Sequence, residues 1–195
     1  MRYSKEHKEQ VRRKLLSDGG SHAKQHGFAA SGVDALAASA GVTIGSLYKH
    51  FESKDALFAA LIEAEMQRTI ALFASLDQAD PDALRKSLSA YTSLAHVKSP
   101  QAGCPLPTLT AEVARAPDEV RATFEAGLLA LHDVLSKLTG SPEAAWALIA
   151  QNVGAVMLAR AMHGASHQKN LLSAVRATGS AMLARSSAKV VDAQN

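Results

Sequence analysis

The sequence predicts an all-α protein of about nine helices, with a three-helix N-terminal head and a C-terminal helical bundle as its body. Hydrophobic residues make up 47% of the 195 residues and aromatic residues only 5%, so Ala, Leu and Val must supply most of the core. Apolar residues recur at three- and four-residue intervals, which is the period of an α-helix. Alternation of β-branched residues is nearly absent and no Asn-Gly pair occurs, so strands and hairpins are not predicted.

The first predicted helix is the least regular one. Residues 1 to about 26 form a basic arm that leads into it, and Val11, Leu15 and Leu16 supply its apolar face. Gly19-Gly20 interrupts this face, because a glycine in a helix interior costs about 1 kcal/mol relative to alanine. We therefore expect helix one to be loosened or kinked, or to pack unusually close to helix four.

The next stretch predicts two short helices joined by a tight turn. Ser31 is the predicted N-cap of the first, and Gly41 ends it, because glycine takes positive φ without strain. Thr43 is a favourable N-cap for the second, which we expect from about Ile44 to Phe51. The apolar residues of the first helix share one face: Val33, Leu36, Ala37 and Ala40. Two short helices around a glycine turn form a helix-turn-helix.

A helix-turn-helix indicates DNA binding, because its second helix can enter the major groove and present its N-terminal residues to base edges. Small side chains at Gly45 and Ser46 would let the backbone approach DNA closely. The candidate DNA-binding residues of this helix are Thr43, Ile44, Gly45, Ser46, Tyr48, Lys49 and His50. The alternative interpretation is an ordinary helical hairpin inside a larger bundle.

The basic excess of the chain lies in the same segment. Residues 1–54 hold nine basic and five acidic residues, whereas the remainder holds 12 basic and 13 acidic residues. Such a distribution favours phosphate binding, although a basic run can also be a solvated arm. Ser53 is the predicted N-cap of helix four, and Lys54 lies in its first turn, where the helix dipole disfavours a cation. We therefore predict that DNA phosphate is the partner of Lys54.

Residues 27–57 resemble the N-terminal DNA-binding domain of TetR-type (tetracycline repressor-type) regulators. The resemblance implies that the Ser31 hydroxyl contacts a phosphate. Where the family usually has a Leu-Phe pair, this chain has His22-Ala23, which adds to the expectation of a loosely mounted head. The matching residues, in order, are Gly27, Phe28, Val33, Leu36, Ala37, Ala40, Gly41, Val42, Thr43, Gly45, Leu47, Tyr48, His50, Phe51, Ser53, Lys54, Asp55 and Leu57.

The rest of the chain predicts the helical body. Helix four continues to about Phe73, and residues 77–81 form a linker. A Pro- and Gly-rich loop over residues 97–107 precedes a short helix. The remaining helical patterns cover residues 84–95, 106–114, 120–138, 142–160 and 171–183. We expect a DNA-binding domain over residues 1–52 and a ligand-binding and dimerisation domain over residues 53–195.

The resemblance implies a ligand-responsive transcription regulator, a repressor that is released by a small-molecule inducer. Such a protein binds a palindromic double-stranded DNA operator as a homodimer through its last two helices. Its ligand pocket is expected among the helices of the body. Candidate pocket residues are Phe73, Leu88, Tyr91, Cys104, Leu109, Phe124, Leu128, Trp146 and Met157.

Enzymatic chemistry is not predicted. The chain has no G-x-S-x-G, H-E-x-x-H or C-x-x-C motif and no phosphate-cradling glycine loop, so neither an enzyme nor a cofactor is expected. Without an apolar signal region or a run of about 18 apolar residues, we expect a cytoplasmic protein with no membrane partner.

Two alternative functions are also compatible with the sequence. Cys104 motivates a redox- or metal-responsive regulator on the same scaffold, although a lone thiol is more simply a small half-buried residue. His22 and His26 have the spacing of a metal pair on a helix, but no further ligand lies nearby, so no metal site is predicted. A helical enzyme or a small-molecule carrier is the more remote alternative.

Overall fold

A computed structural model describes residues 5–77, 80 and 82–192 of the chain, with side chains described as far as residue 184. Within these ranges no residue lies in a β-strand, so the predicted all-α class is confirmed. The helices are α1 (Lys5–His26), α2 (Val33–Ser39), α3 (Ile44–Tyr48), α4 (Lys54–Ala74), α5 (Ala83–Tyr91), α6 (Leu94–Lys98), α7 (Leu106–Val113), α8 (Asp118–Thr139), α9 (Pro142–Ala161) and α10 (Ala165–Asp192).

The chain divides into two compact units, which we call unit 1 and unit 2. Unit 1 consists of Met1–Gln67 and Pro100–Gly127, and unit 2 consists of Arg68–Ser99 and Leu128–Asn195. The functional division predicted at residue 52 separates the chain at a different point and stays a prediction. Of the predicted linker over residues 77–81, Gln78, Ala79 and Pro81 lie outside the described residues.

Unit 1 is built around α1 and α4. The two glycines of α1 do not break it: the helix is continuous from Lys5 to His26, and Gly19 and Gly20 are buried. A Cβ placed on Gly19 would lie 3.7 Å from Leu61 Cδ2, so the backbones of α1 and α4 approach closely there. The expectation of a kinked helix one is wrong, and the alternative of close packing against helix four is what the structure has. Burial of the helix face offsets the low helix propensity of glycine.

A buried ion pair also joins these two helices. Lys24 Nζ on α1 lies 2.7 Å from Glu65 Oε2 on α4, and only 4% and 2% of the two side chains are exposed. The same ammonium group donates a hydrogen bond of 2.9 Å to the backbone carbonyl of Gly103. Because that carbonyl belongs to the loop before α7, three separate parts of unit 1 meet at Lys24.

Unit 2 contains the segment that was predicted as one helix over residues 84–95. It forms two helices, because Thr92 ends α5 and the Ser93 side chain caps α6 by accepting from His96 N at 3.1 Å. Arginines of α9 and α10 bind carbonyl groups of this segment. Arg160 Nε donates to Val97 O at 3.2 Å, and Arg176 Nη1 donates to Thr92 O at 2.7 Å.

The core of unit 2 is small and aliphatic. Val97, Ala155, Val156, Ala159 and Leu172 form a buried cluster. The many alanines of α9 allow α10 to pack closely on one of its faces. By length and mean hydropathy, α9 could cross a membrane: its most apolar 18-residue window has a mean hydropathy of 1.2, and 39% of that window is buried. The expectation from sequence rested on uninterrupted apolar runs, and Gln151 and Asn152 interrupt this one.

The Lys24–Glu65 pair predicts a distinct pattern of stabilities. Glu65→Leu leaves a buried ammonium group without its carboxylate, and we expect this variant to lose about 3–5 kcal/mol of unfolding free energy. The double variant Lys24→Met with Glu65→Leu removes both charges and should lose far less. Urea unfolding followed by circular dichroism measures both values. An equal loss in the single and double variants would contradict this role of the pair.

Candidate nucleic-acid interface

The helix-turn-helix forms as the sequence predicts in its central part. Gly41 has φ +66° in the turn after α2. Thr43 caps α3, its side chain accepting from Ser46 N at 3.2 Å. The helix ends at Tyr48, but Phe51 N still donates to Leu47 O at 3.1 Å, so the turn continues towards the predicted end.

The two faces of α3 and of the turn after it differ in burial. Leu47 and Phe51 are buried in the core of unit 1, whereas Ile44 and Tyr48 are 44% and 48% exposed. The outward face of this short helix therefore carries two large side chains that are available for contact. A Cβ at Gly45 would have no atom within 4 Å, so the backbone there is open to close approach.

The N-terminal half of α1 lies beside the helix-turn-helix and completes a basic groove. This groove has a volume of about 1010 Å³. Lys8, Lys14 and Lys49 supply ammonium groups along it, which is suited to phosphate. Its lining residues are His7, Lys8, Gln10, Val11, Lys14, Ala40, Gly41, Val42, Thr43, Gly45, Ser46, Lys49 and His50. The structure thus brings together five of the predicted DNA-binding residues: Thr43, Gly45, Ser46, Lys49 and His50.

The α1 side of the groove was missed in the sequence interpretation. Val11 was assigned there to an apolar face, and the lysines were counted only as charge. Residues 7, 11 and 14 have helical spacing, which places them on one face of α1. That spacing could have shown that Lys14 and the groove residues share a surface.

His50 lies in a positive environment at this groove. Partial burial, followed by the positive charges of Arg12 and Lys8, lowers the pKa of His50 below its ordinary value. The Arg12 guanidinium itself lies 4.7 Å from the centre of the Phe51 ring, so a cation–π contact holds it beside the histidine. An anion at this position would act in the opposite direction and favour the imidazolium.

Ser31 differs from its prediction. The N-cap of α2 is Gly32, which makes no side-chain capping bond, so the prediction of Ser31 as the N-cap is wrong. The Ser31 hydroxyl instead donates to Gly27 O at 2.6 Å, and the residue is buried. The bond satisfies a carbonyl at the end of α1 and turns the hydroxyl inward. The phosphate contact of Ser31 stays a prediction.

Lys54 has partners within unit 1. Its ammonium group donates to Ser31 O at 2.8 Å and to Ala29 O at 3.4 Å, and it lies 5.1 Å from the centre of the Phe28 ring. These contacts explain a cation in the first turn of α4 without an external anion. The reasoning from the helix dipole therefore no longer supports a phosphate contact of Lys54, which stays a prediction. Ser53 caps α4 as predicted, accepting from Ala56 N at 3.0 Å.

Glu112 on α7 is a second residue that the sequence interpretation missed. Its carboxylate accepts from Phe28 N at 3.1 Å and from Ala29 N at 2.6 Å. Each bond spans more than 80 residues along the chain. No local pattern reports such a contact.

The candidate pocket residues are distributed over both units. In unit 1, Cys104 and Leu109 are buried and Phe124 is half-buried. In unit 2, Phe73 is buried, whereas Leu88, Tyr91 and Leu128 are half-buried. Leu88 lines a groove of about 330 Å³ together with Arg85, Asn152 and Arg176.

Trp146 and Met157 do not occupy the interior position expected of pocket residues. Each is 39% exposed, because both lie on the outer face of α9. The Trp146 ring stacks on His132 of α8, with 4.2 Å between the ring centres. This stacking holds the indole flat on the surface of unit 2.

The histidine pair of α1 forms a ring contact. His22 and His26 lie 4.6 Å apart between ring centres. Burial and then the neighbouring His26 lower the pKa of His22. Among the described residues, no group of three or more His, Cys, Asp and Glu side chains is placed to hold a metal ion.

Comparison with known proteins agrees with the geometry of the head. A family model described as bacterial regulatory proteins of the tetR family matches residues 21–61, which include the helix-turn-helix. The chain is 29% identical over 114 residues to the HTH-type transcriptional repressor DhaR of Mycobacterium sp. (strain GP1). That match covers 57% of this chain and spans only 56% of the repressor.

Solved structures extend the similarity to most of the chain. Reduced NemR of E. coli is 25% identical, with a TM-score of 0.70 over 85% of this chain and 95% of NemR. The transcriptional regulator FadR of Bacillus subtilis, solved in complex with stearoyl-CoA, is 17% identical, with a TM-score of 0.66 over 88% of this chain and 97% of FadR. At that identity, the second similarity concerns the fold alone.

The family match at the helix-turn-helix, the repressor-named relative and the shared fold agree with one another. The family comprises transcriptional regulators and not enzymes. The chain therefore resembles the TetR family of bacterial transcriptional regulators, through its helix-turn-helix segment and through its fold.

Proposed function

We propose that this chain is a ligand-responsive repressor that binds a palindromic double-stranded DNA operator as a homodimer and is released by a small-molecule inducer. The observation that carries the proposal is the exposed face of α3 beside the basic groove of α1. As a regulator bound to bacterial DNA, it would act in the cytoplasm.

The proposed DNA contacts follow from the exposure of each side chain. Ile44, Gly45 and Tyr48 form the outward face of α3 and would approach base edges and sugars in the major groove. Lys49 and the lysines of α1 would bind phosphates on either side of that helix. Ser31, in the turn between α1 and α2, and Lys54 of α4, whose ammonium group donates to the Ser31 carbonyl, are the remaining proposed DNA contacts.

A homodimer through α9 and α10 would account for the exposed apolar surface of α9. Trp146, Met157, Leu158 and Met162 all rank among the exposed large hydrophobic residues. A Cβ at Gly154, between them in sequence, would have no atom within 4 Å, which leaves room for a partner helix. One short recognition helix reads few bases, and a two-fold dimer places two such helices in successive major grooves.

The inducer would bind in the body, within the proposed domain of residues 53–195. Bacillus FadR, which has a similar fold, was solved in complex with stearoyl-CoA, and this is consistent with a ligand site in the body. It does not identify the ligand of this chain. Among the candidates in unit 2, the buried Phe73 and the half-buried Leu88, Tyr91 and Leu128 are the residues we assign to such a site. Release of DNA would follow if the inducer bound better to the conformation that misplaces the DNA-binding heads.

Redox regulation through Cys104 is the second candidate. Cys104 is buried immediately before α7, and the neighbouring Gly103 carbonyl binds Lys24 of the head. The similar E. coli NemR was solved in a reduced form, which favours keeping this candidate. Oxidation of the Cys104 thiol would disturb the loop before α7, whose Gly103 carbonyl binds Lys24 of α1.

Removal of two exposed side chains at the end of α3 tests the assignment of the recognition helix. We expect Tyr48→Ala with Lys49→Ala to weaken binding by about 100-fold, to a fragment that the wild type selects from random DNA. Lys137→Ala, on the exposed face of α8, loses a charge and is the matched control. Fluorescence anisotropy measures all three affinities. Unchanged affinity in the double variant would show that α3 does not read DNA.

The pKa of His50 predicts a pH dependence of DNA binding. In the free protein this pKa lies below its ordinary value. A bound phosphate raises it, so complex formation takes up a proton, and affinity should rise as the pH falls from the pKa of His50 in the complex to its lower pKa in the free protein. His50→Gln should reduce this dependence. A pH profile that is identical in wild type and His50→Gln would exclude His50 from the contact.

The proposed dimer predicts a specific sensitivity of α9. Leu158→Glu would bury a carboxylate at the interface and should raise the dimer dissociation constant by about 100-fold or more. Leu72→Glu is the matched control, since Leu72 and Leu158 are both 57% exposed in unit 2. Sedimentation velocity distinguishes the outcomes. A Leu158→Glu protein that stays dimeric would remove α9 from the interface.

A further inference from the structure

The backbone of the turn between α1 and α2, residues 27–31, is bound by charged side chains of both signs. A carboxylate accepts from its N–H groups, and an ammonium group donates to its carbonyl groups. Glu112 of α7 accepts from the N–H groups of Phe28 and Ala29, at 3.1 and 2.6 Å. Bonds from an N–H group to a carboxylate are about twice as strong as bonds between neutral groups. One carboxylate on α7 therefore satisfies two donors of this turn.

The carbonyl groups of the same turn bind a cation from α4. Lys54 Nζ donates to Ser31 O at 2.8 Å and to Ala29 O at 3.4 Å. The carboxylate thus contacts the N–H groups and the ammonium group contacts the carbonyl groups, as the dipoles of the peptide units require. Ala29 is bound through both its N–H and its carbonyl group.

The residues of the turn fit this arrangement closely. Gly27 has φ +84°, and a Cβ there would lie 3.1 Å from Glu112 Oε1, so a side chain would press on the carboxylate. Phe28 is buried and stacks on Phe58 of α4, with 4.1 Å between ring centres and 7° between ring planes. The turn is therefore anchored through its backbone by α7 and α4, and through its aromatic ring by α4.

We propose that Glu112 is a positioning residue for DNA binding, which holds the turn of residues 27–31 in the conformation that presents the helix-turn-helix. The proposal rests on the DNA-binding function proposed above. Since α2 begins at Val33, directly after the turn, the orientation of α2 and α3 depends on it. Without the carboxylate, fewer molecules hold the competent arrangement, and the apparent affinity falls by that fraction.

This arrangement makes α7 a helix whose position is transmitted to the head. Leu109 and Val113 hold α7 in the core of unit 1, and Glu112 extends from the same helix to the turn. A displacement of α7 would withdraw the carboxylate from both N–H groups together. The recognition helix would be affected although α7 does not itself belong to the helix-turn-helix.

Glu112→Gln tests the proposal, with Glu119→Gln as its matched control. Both variants gain one unit of net positive charge, and Glu119 lies exposed in the first turn of α8. The side-chain amide of Glu112→Gln keeps one acceptor oxygen. Its NH₂ group faces the second backbone N–H group, so one hydrogen bond is lost. We expect Glu112→Gln to bind the fragment selected by wild type about tenfold more weakly than Glu119→Gln does.

Amide hydrogen exchange followed by NMR gives the second measurement. Exchange of the Phe28 and Ala29 amides should accelerate in Glu112→Gln and stay unchanged in Glu119→Gln. Glu112→Asp keeps the charge but shortens the side chain, so it should also bind more weakly than wild type. If Glu112→Gln does not fold, the comparison of Glu112→Asp with wild type replaces it.

Equal operator affinity for Glu112→Gln and Glu119→Gln, or for Glu112→Asp and wild type when Glu112→Gln is unfolded, would overturn the proposal. So would weaker binding with unchanged exchange at Phe28 and Ala29. If the wild type selects no DNA, the proposed function fails instead. In that case the exchange rates still decide whether Glu112 holds the turn.

Discussion

The buried contact of Lys24 with Glu65 and the Gly103 carbonyl is the interaction on which unit 1 depends. It joins α1, α4 and the loop before α7, at a point from which water is almost completely excluded. A charged pair in such a place is stabilising only while both partners and their remaining hydrogen bonds are present. The register of α1 on α4 is therefore set by polar chemistry as well as by the close approach at Gly19.

The position of α1 on α4 determines which side chains the head exposes. With α1 fixed, its N-terminal half lies beside α3, and Lys8 and Lys14 line the same groove as Lys49. The apolar side of α3 is used for the core, through Leu47, which leaves Ile44 and Tyr48 outward. The head thus joins the narrow exposed face of α3 to a broader basic groove. Glu112 adds a connection from α7 to the turn that begins the motif.

The local parts of this architecture could be predicted from the sequence. Positive φ at Gly41, capping by Thr43 and Ser53 and the all-α class follow from short-range patterns, and the structure agrees. The prediction of a kink at Gly19-Gly20 was wrong, because intrinsic helix propensity takes no account of the close packing of α4 against these glycines. Ser31 was misassigned since a hydroxyl beside a helix start can bind a carbonyl of the preceding helix equally well. The contacts of Lys24 and Glu112 join residues far apart in the chain, which no local pattern contains.

We propose that α3 and the α1 groove read DNA as parts of a two-fold dimer. Selection of the full chain against a random pool of double-stranded DNA, followed by sequencing, tests it most directly. We expect enrichment of an inverted repeat whose half-sites lie a whole number of helical turns apart, at about 10 base pairs per turn. A pool with no enriched sequence, or with a single unrepeated half-site, would contradict it.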